Sequence, residues 1–113
     1  MTQQLRITGV VTKRARTATD PTGRAWLLVE MEQGRAGGVA CRVRRSYGRG
    51  HEAQYAATQA ASRMRRGAEI TVYAAACAIE TKRNRPQLVL DDAEFIELSS
   101  RPTHYATAEK DDA

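Results

Sequence analysis

The chain is poor in cysteine, histidine and aromatic residues, and each scarcity argues against a class of site. Its 113 residues include 2 cysteines, 2 histidines, 1 tryptophan, 4 tyrosines and 1 phenylalanine. Cys41 and Cys77 lie far apart in apolar runs, a pattern typical of reduced core thiols in a cytoplasmic protein. A structural metal site requires about four ligands at defined spacing, and only His51 and His104 accompany the cysteines. We therefore expect no bound metal and no cofactor.

Long apolar runs are also missing. No window approaches the roughly 20 apolar residues that a transmembrane helix needs. The first residues, MTQQLRITGV, lack the basic segment and the following apolar segment of a secretory signal. The length suits one domain with a single core. We expect a cytoplasmic protein without membrane contact, with a domain over residues 1–98 and a flexible polar tail over residues 99–113.

Motifs that would support catalysis are lacking. His51 and Glu52 stand at a helix start, and no motif places a nucleophile beside them. Asp91 and Asp92 could form a metal cluster with Glu94, but strand alternation turns the two aspartates to opposite faces. The chain has no glycine motif that would cradle a phosphate. We expect that the protein is not an enzyme.

What the chain has in abundance is arginine. The net charge is +5, and 15 of the 18 basic residues are arginines. Residues 1–85 carry 16 basic and 6 acidic side chains, whereas residues 86–113 carry 2 and 7. The planar guanidinium group pairs with phosphate and stacks on flat rings, so this bias favours a polyanionic partner. The alternative is that arginine reflects a GC-rich genome, which the many alanines also fit.

Alternation of apolar and polar residues predicts three strands in the first half of the chain. They cover QLRITGVVTKRAR at 4–16, RAWLLVEM at 24–31 and VACRVR at 39–44. Turns are predicted at DPTG, residues 20–23, and at GRAGG, residues 34–38. Gly9 interrupts the first strand, which indicates a bend, a bulge or the close approach of another backbone.

The second half of the chain changes period. HEAQYAATQAASRM at 51–64 contains neither proline nor glycine and predicts a helix. Its expected buried face is small and alanine-lined, and follows roughly the stripe Tyr55, Ala56, Gln59, Ala60 and Arg63. A strand over Glu69–Ile79, a charged hairpin tip at 81–86 and a last strand region with Gln87–Leu90, Phe95, Ile96 and Leu98 follow. Three strands, a helix and two strands predict an all-β domain with one helix, the five-stranded OB-fold barrel.

Three segments of the chain are similar to the bacterial single-stranded DNA-binding proteins. LRITGVV at 5–11 resembles that family's opening strand, and MRRGAEITVYAA at 64–75 resembles its passage from the helix into the next strand. LVLDDAEFIEL at 88–98 resembles its closing strand. The resemblance implies a homo-oligomer, a dimer or tetramer, that coats exposed single strands during DNA replication, repair or recombination.

The sequence departs from that family in two respects. The family's acidic tail ends in a short apolar tip that recruits other proteins, whereas this chain ends in Glu109-Lys110-Asp111-Asp112-Ala113. We therefore do not expect recruitment through the tail. Aromatic residues are also fewer, as in the smaller dimeric primosomal relatives and the phage or plasmid variants of the same fold.

The stretch CRVRRSYGRG at 41–50 is the principal candidate site. Alternation turns Arg42 and Arg44 away from the core, and Tyr47 is expected just beyond them in a flexible loop. Guanidinium groups that hold phosphates and flat rings that stack on bases are the two needs of a protein that binds unpaired strands. The candidate cations of this stretch are Arg42, Arg44, Arg45 and Arg49.

Other rings and two basic hairpins extend the candidate site. Trp26 either stacks on the arginine side or packs in the core, and the same two interpretations hold for Tyr73. Tyr55 is expected to be structural, and Phe95 is expected in the core. Basic residues flank both predicted hairpins: Lys13, Arg14, Arg16 and Arg24 at the first, and Lys82, Arg83 and Arg85 at the last.

These observations predict a protein that binds single-stranded DNA without reading its sequence, by arginine–phosphate contacts and aromatic stacking. Two alternatives remain open. One is a protein-interaction module whose basic loops dock an acidic partner. The other is an RNA-binding protein, because stacking and phosphate contacts do not by themselves choose the sugar.

Overall fold

The computed structural model describes residues 4–33 and 38–99, which form seven strands and one helix. In chain order these are β1 (Leu5–Thr19), β2 (Arg24–Gln33), β3 (Val39–Arg49), α1 (His51–Arg63), β4 (Glu69–Ala74), β5 (Ala78–Lys82), β6 (Arg85–Leu90) and β7 (Ala93–Leu98). The predicted helix is confirmed. Most of the predicted GRAGG turn, and the predicted tail from residue 100 onward, lie outside the described residues.

The strands form one sheet in the order β5-β6-β3-β2-β1-β4-β7, and all pairs are antiparallel except β3 with β6. The prediction of five strands is wrong, because two predicted strands each divide in two. The chain leaves β4 after Ala74 and forms β5, which pairs with β6 beside β3. Within the described ranges, β5 and β7 stay unpaired with each other, so the hydrogen-bonded order is not closed into the predicted barrel.

The long strand β1 bends the sheet around the core. Its first part, Leu5–Val10, pairs with β4, while its later part pairs with β2 through two register shifts after Val11. The segment between α1 and β4 supports this bend. The Val11 N–H donates to the Ala68 carbonyl (2.8 Å), and the Ala15 N–H donates to the Met64 carbonyl (3.0 Å).

The core lies between the inner face of the sheet and α1. Alternate residues of the strands supply it, among them Leu27, Val29, Val43, Ile70 and Val72. The helix contributes Ala53, Ala57 and Ala61, so the buried face is small and alanine-lined as predicted, but the predicted stripe is wrong, because Tyr55, Ala56, Gln59 and Arg63 are exposed. Of the two thiols, only Cys41 is fully buried; burial raises its pKa to about 12, and Cys77 packs against the core from a partly exposed position.

Gly9 marks a close approach of the β2 backbone to β1, one of the three interpretations that its position in the strand allows. A methyl group there would lie 2.5 Å from the Glu32 carbonyl oxygen and 3.0 Å from the Met31 sulfur. Because backbone must shift to relieve that overlap, we expect Gly9→Ala to lower the free energy of unfolding by about 1–3 kcal/mol. Urea denaturation measures the change. The exposed Arg6→Ala in the same strand is the control, expected within about 0.5 kcal/mol of the original chain; equal losses in both would contradict the explanation.

Candidate nucleic-acid interface

A basic groove crosses the outer face of β1, β2 and β3. Alternation turns Arg42 and Arg44 outward on β3, where they are in register with Glu30 and Leu28 of β2. The two register shifts of β1 bring three further cations to the same face. We call this cavity of about 310 Å³ the arginine groove; it is lined by Lys13, Arg14, Arg16, Leu28, Val29, Glu30, Arg42 and Arg44.

Three of the five cations in the arginine groove already face a carboxylate. Lys13 Nζ lies 3.8 Å from Glu30 Oε1. Arg42 Nη2 lies 3.2 Å from Glu80 Oε1, and Arg44 Nη1 lies 3.8 Å from Asp91 Oδ1. These side chains are 40–75% exposed, so each ion pair contributes little to stability and can open to a competing anion.

The groove retains a positive surplus after these pairs are counted. Within the described part of the chain, Arg14 and Arg16 have no carboxylate partner. Five cations against three carboxylates therefore leave two positive charges. Leu28 adds an apolar surface to the groove, which suits a ligand with both phosphates and flat, weakly polar rings.

Trp26 stands next to this groove in a fixed orientation. The Arg44 guanidinium carbon lies 4.3 Å from the centroid of the indole ring, the geometry of a cation–π contact. The edge of the same ring is held as well, because Trp26 Nε1 donates a hydrogen bond to Asp20 Oδ2 (2.9 Å). The structure thus places Trp26 on the arginine side of β2 rather than in the core, and its role in stacking stays a prediction.

Asp20 organises the predicted turn before β2 as well as the indole. Its carboxylate accepts hydrogen bonds from the hydroxyl of Thr22 (2.6 Å) and from the backbone N–H groups of Thr22 and Arg24. The Thr22 hydroxyl, followed by the Trp26 indole, holds the pKa of Asp20 well below its ordinary value. The carboxylate is therefore ionised, and keeps its acceptor for Trp26, across the neutral range.

Arg45 and Tyr47 lie on the other side of β3 from the arginine groove. Arg45 is in register with the buried Leu27, and β3 continues to Arg49, so Tyr47 lies in a strand and not in the predicted flexible loop. A register shift beside Ala25 makes room for Tyr47, which packs partly against the core. The Arg45 guanidinium lies 4.7 Å from the Tyr47 ring, and its Nη1 donates to Tyr47 Oη (3.1 Å).

Two more rings continue from Arg45 across β7 and β4. The Arg45 guanidinium lies 5.9 Å from the Phe95 ring, whose centroid lies 5.8 Å from that of Tyr73. Phe95 is 49% exposed, so its predicted place in the core is wrong; Ile96 faces Val72 there instead. We call Tyr47, Arg45, Phe95 and Tyr73 the ring row.

The remaining predicted cations fall at two other places. Arg24 and Arg49 are in register at the end of β2 and β3, and Arg24 Nη1 donates to Ser46 Oγ (2.8 Å). Lys82 and Arg85 flank the two-residue turn between β5 and β6, and Arg83 lies in that turn, where it and Asn84 both have positive φ. The sequence predicts one site, but the structure distributes its residues over four places: the arginine groove, the ring row, one strand end and one hairpin tip.

Sequence reasoning missed the carboxylates that face the groove. Glu80 and Asp91 come from β5 and from the turn after β6, and only the parallel pairing of β6 with β3 brings them to Arg42 and Arg44. No local pattern carries that information. Leu28 could have been found, because the paired leucines of RAWLLVEM place one apolar residue on the polar side of the strand.

Comparisons with known proteins support the fold and leave the contacts unassigned. The sequence matches no protein-family model and no curated protein. The fold is of the kind found in single-stranded DNA-binding proteins. It is similar to the crystal structure of the small single-stranded DNA-binding protein from Streptomyces coelicolor, with a TM-score of 0.53 and 15% identity over 88% of this chain and 96% of that chain. In the described ranges, α1 is too short and too polar to cross a membrane.

Proposed function

We propose that the protein binds single-stranded DNA without reading its sequence, and that the arginine groove with Trp26 is the binding surface. The observation that carries the proposal is the Arg44 guanidinium stacked 4.3 Å from the Trp26 ring beside four further cations. The similarity of the fold to a single-stranded DNA-binding protein supports the same ligand class. Both features suit an unpaired strand, whose phosphates and base faces are accessible at once.

The groove would hold such a strand by exchanging its own ion pairs. Phosphates displace Glu80 and Asp91 from Arg42 and Arg44, while Arg14 and Arg16 need no exchange. A base stacks against the Trp26 indole, because Asp20 holds one ring edge and leaves a partly exposed surface. No contact in this scheme reads a base edge, so binding is independent of sequence.

The biological setting is proposed on the same basis. A protein that coats single strands acts in DNA replication, repair or recombination, and we propose a cytoplasmic homo-oligomer, a dimer or a tetramer, in that role. Sedimentation equilibrium measures the oligomeric state directly. A monomer at all concentrations would contradict this part of the proposal and leave the binding surface untouched.

Fluorescence of the single tryptophan tests the binding proposal. Because Trp26 borders the groove, we expect oligothymidine to quench its emission, and a DNA duplex with the same number of phosphates to leave it nearly unchanged. An equal response to the duplex would show simple electrostatic attraction and contradict the proposal. Oligodeoxyuridine and oligouridine differ only in the 2′-hydroxyl, so their comparison in the same titration decides between the two sugars.

The ion pairs of the groove favour a second candidate, a module that docks an acidic protein segment. Lys13, Arg42 and Arg44 each accept a carboxylate as partner in this structure. An acidic peptide could replace those carboxylates without any stacking on Trp26. Oligoglutamate that competes with oligothymidine at equal charge concentration would support this second candidate, whereas oligothymidine binding that persists in excess oligoglutamate would support the first.

A further inference from the structure

The ring row has the composition of a stacking surface, although it lies outside the arginine groove. Arg45 lies 4.7 Å from the Tyr47 ring and 5.9 Å from the Phe95 ring, and Phe95 lies 5.8 Å from Tyr73. These contacts cross three strands without interruption. Phe95 remains 49% exposed at the centre of the row, so a flat ring is presented to a ligand.

The surroundings of the ring row favour an anionic ligand over a purely apolar one. Arg6 is in register with Tyr73 on the neighbouring strand, and Arg63 lines a cavity of about 500 Å³ next to Phe95. Together with Arg45 they give three guanidinium groups.

Two carboxylates oppose these groups on β7, and each has its own partner. Glu97 accepts a hydrogen bond from Tyr73 Oη (3.2 Å), and Glu94 accepts one from Gln4 Nε2 (2.6 Å). One positive charge remains in surplus around the exposed ring. The phosphates beside a stacked base would pair with these guanidinium groups, whereas a purely apolar partner would leave their charge unpaired.

Two further cations stand at the end of the strand that separates the arginine groove from the ring row. Arg44 and Arg45 are consecutive on β3 and face opposite sides, so the groove and the ring row lie on the two faces of this strand. Arg24 and Arg49 stand at that end, in register with each other. Neither guanidinium group forms an ion pair with a carboxylate in the described part of the chain. A single strand of DNA that leaves the arginine groove past Trp26 would therefore meet positive charge before it reaches Tyr47.

We propose that the ring row is a second stacking site for the same unpaired strand, so that one chain holds DNA on two faces. The inference rests on the proposed function of the arginine groove. Bases beyond the groove stack on Phe95 and Tyr73, and Arg45 and Arg63 contact their phosphates. The arginine groove alone holds a short oligonucleotide, and the ring row adds affinity only when the oligonucleotide is long enough to reach it.

Oligothymidines of increasing length test this inference. Lengths of about 5, 10 and 15 nucleotides cover the range that one such domain binds. We expect Phe95→Leu, which keeps apolar bulk and removes the ring, to lower the ratio of affinities for the longest and shortest oligonucleotides at least about fivefold. Tyr55→Leu is the matched control, since Tyr55 is 68% exposed on α1 outside the row, and it should leave the ratio unchanged.

The outcomes separate the two proposals. If the unmodified chain binds none of the oligothymidines, the proposed function itself fails. If it binds them but Phe95→Leu leaves the ratio unchanged, only the second site fails. A changed sedimentation coefficient in Phe95→Leu would show that the row is a contact between copies of the chain and would also overturn the inference.

A second variant gives a direct optical signal. Phe95→Trp in a Trp26→Phe background moves the single indole to the ring row and keeps a ring at both positions. We expect the longest oligothymidine to quench this indole and the shortest to leave its emission nearly unchanged. Quenching that is equal for both lengths, or absent for both while binding is retained, would overturn the second site.

Discussion

Raising the salt concentration from about 50 to about 200 mM should weaken the binding of a short oligothymidine on the order of 100-fold. The arginine groove presents five cations, and each phosphate neutralised on a single strand contributes roughly −0.7 to the slope of log affinity against log salt. Five contacts therefore give a slope near −3 to −4. Fluorescence titration of Trp26 at several potassium chloride concentrations measures the slope.

This salt dependence separates phosphate binding from other attractions. Stacking on Trp26 alone is nearly independent of salt, so a flat plot would mean that the groove does not hold phosphates. Replacing chloride by glutamate at equal concentration is a useful control, because counterion release from the DNA involves cations. If the slope depends mainly on the anion, the ions released on binding are anions from the protein rather than cations from the DNA, which would contradict our explanation.

Replacing both Arg42 and Arg44 by alanine should lower the affinity for the same oligothymidine about 25-fold near 0.1 M salt. The two contacts together account for about 1.4 in the slope, which should become less negative by that amount. Arg44→Ala also removes the guanidinium from the Trp26 ring, so the indole emission of the free protein should change. Both arginines are 40–41% exposed, and the double variant should therefore keep its fold.

The matched control removes the same charge from another place. Arg65 and Arg66 are exposed in the connection between α1 and β4 and do not line the groove. Arg65→Ala with Arg66→Ala should leave the affinity for a short oligothymidine within about twofold and the slope unchanged. If this control loses as much affinity as Arg42→Ala with Arg44→Ala, net charge rather than the groove determines binding.

Strand alternation was enough to predict one face of the site. A period of two places Arg42 and Arg44 on the same side of β3, and it puts Trp26 on the outer side of β2. The contact between Arg44 and Trp26 could not be predicted, because it depends on the register of β2 against β3. Alternation along a strand sets the face on which a side chain lies, but it does not set which residue of the neighbouring strand stands beside it.

The ends of strands were the main source of error. Alternation stays regular through Ala75 and Ala76, because alanine suits either side of a strand, and so the break between β4 and β5 left no trace in the pattern. At Tyr47 the opposite happened. Gly48 and Gly50 predict a loop, but Gly48 adopts a φ of 94° and β3 continues through it to Arg49. Tyr47 therefore lies in the strand and packs partly against the core.

The arginine groove contains its own exchangeable anions. Glu80 and Asp91 hold Arg42 and Arg44 in place before a ligand arrives, so less side-chain entropy is lost when phosphates replace them. If the groove binds a single strand of DNA as proposed, the same carboxylates can re-form their pairs as each phosphate lifts away. The DNA would then detach contact by contact, and we expect a short residence time.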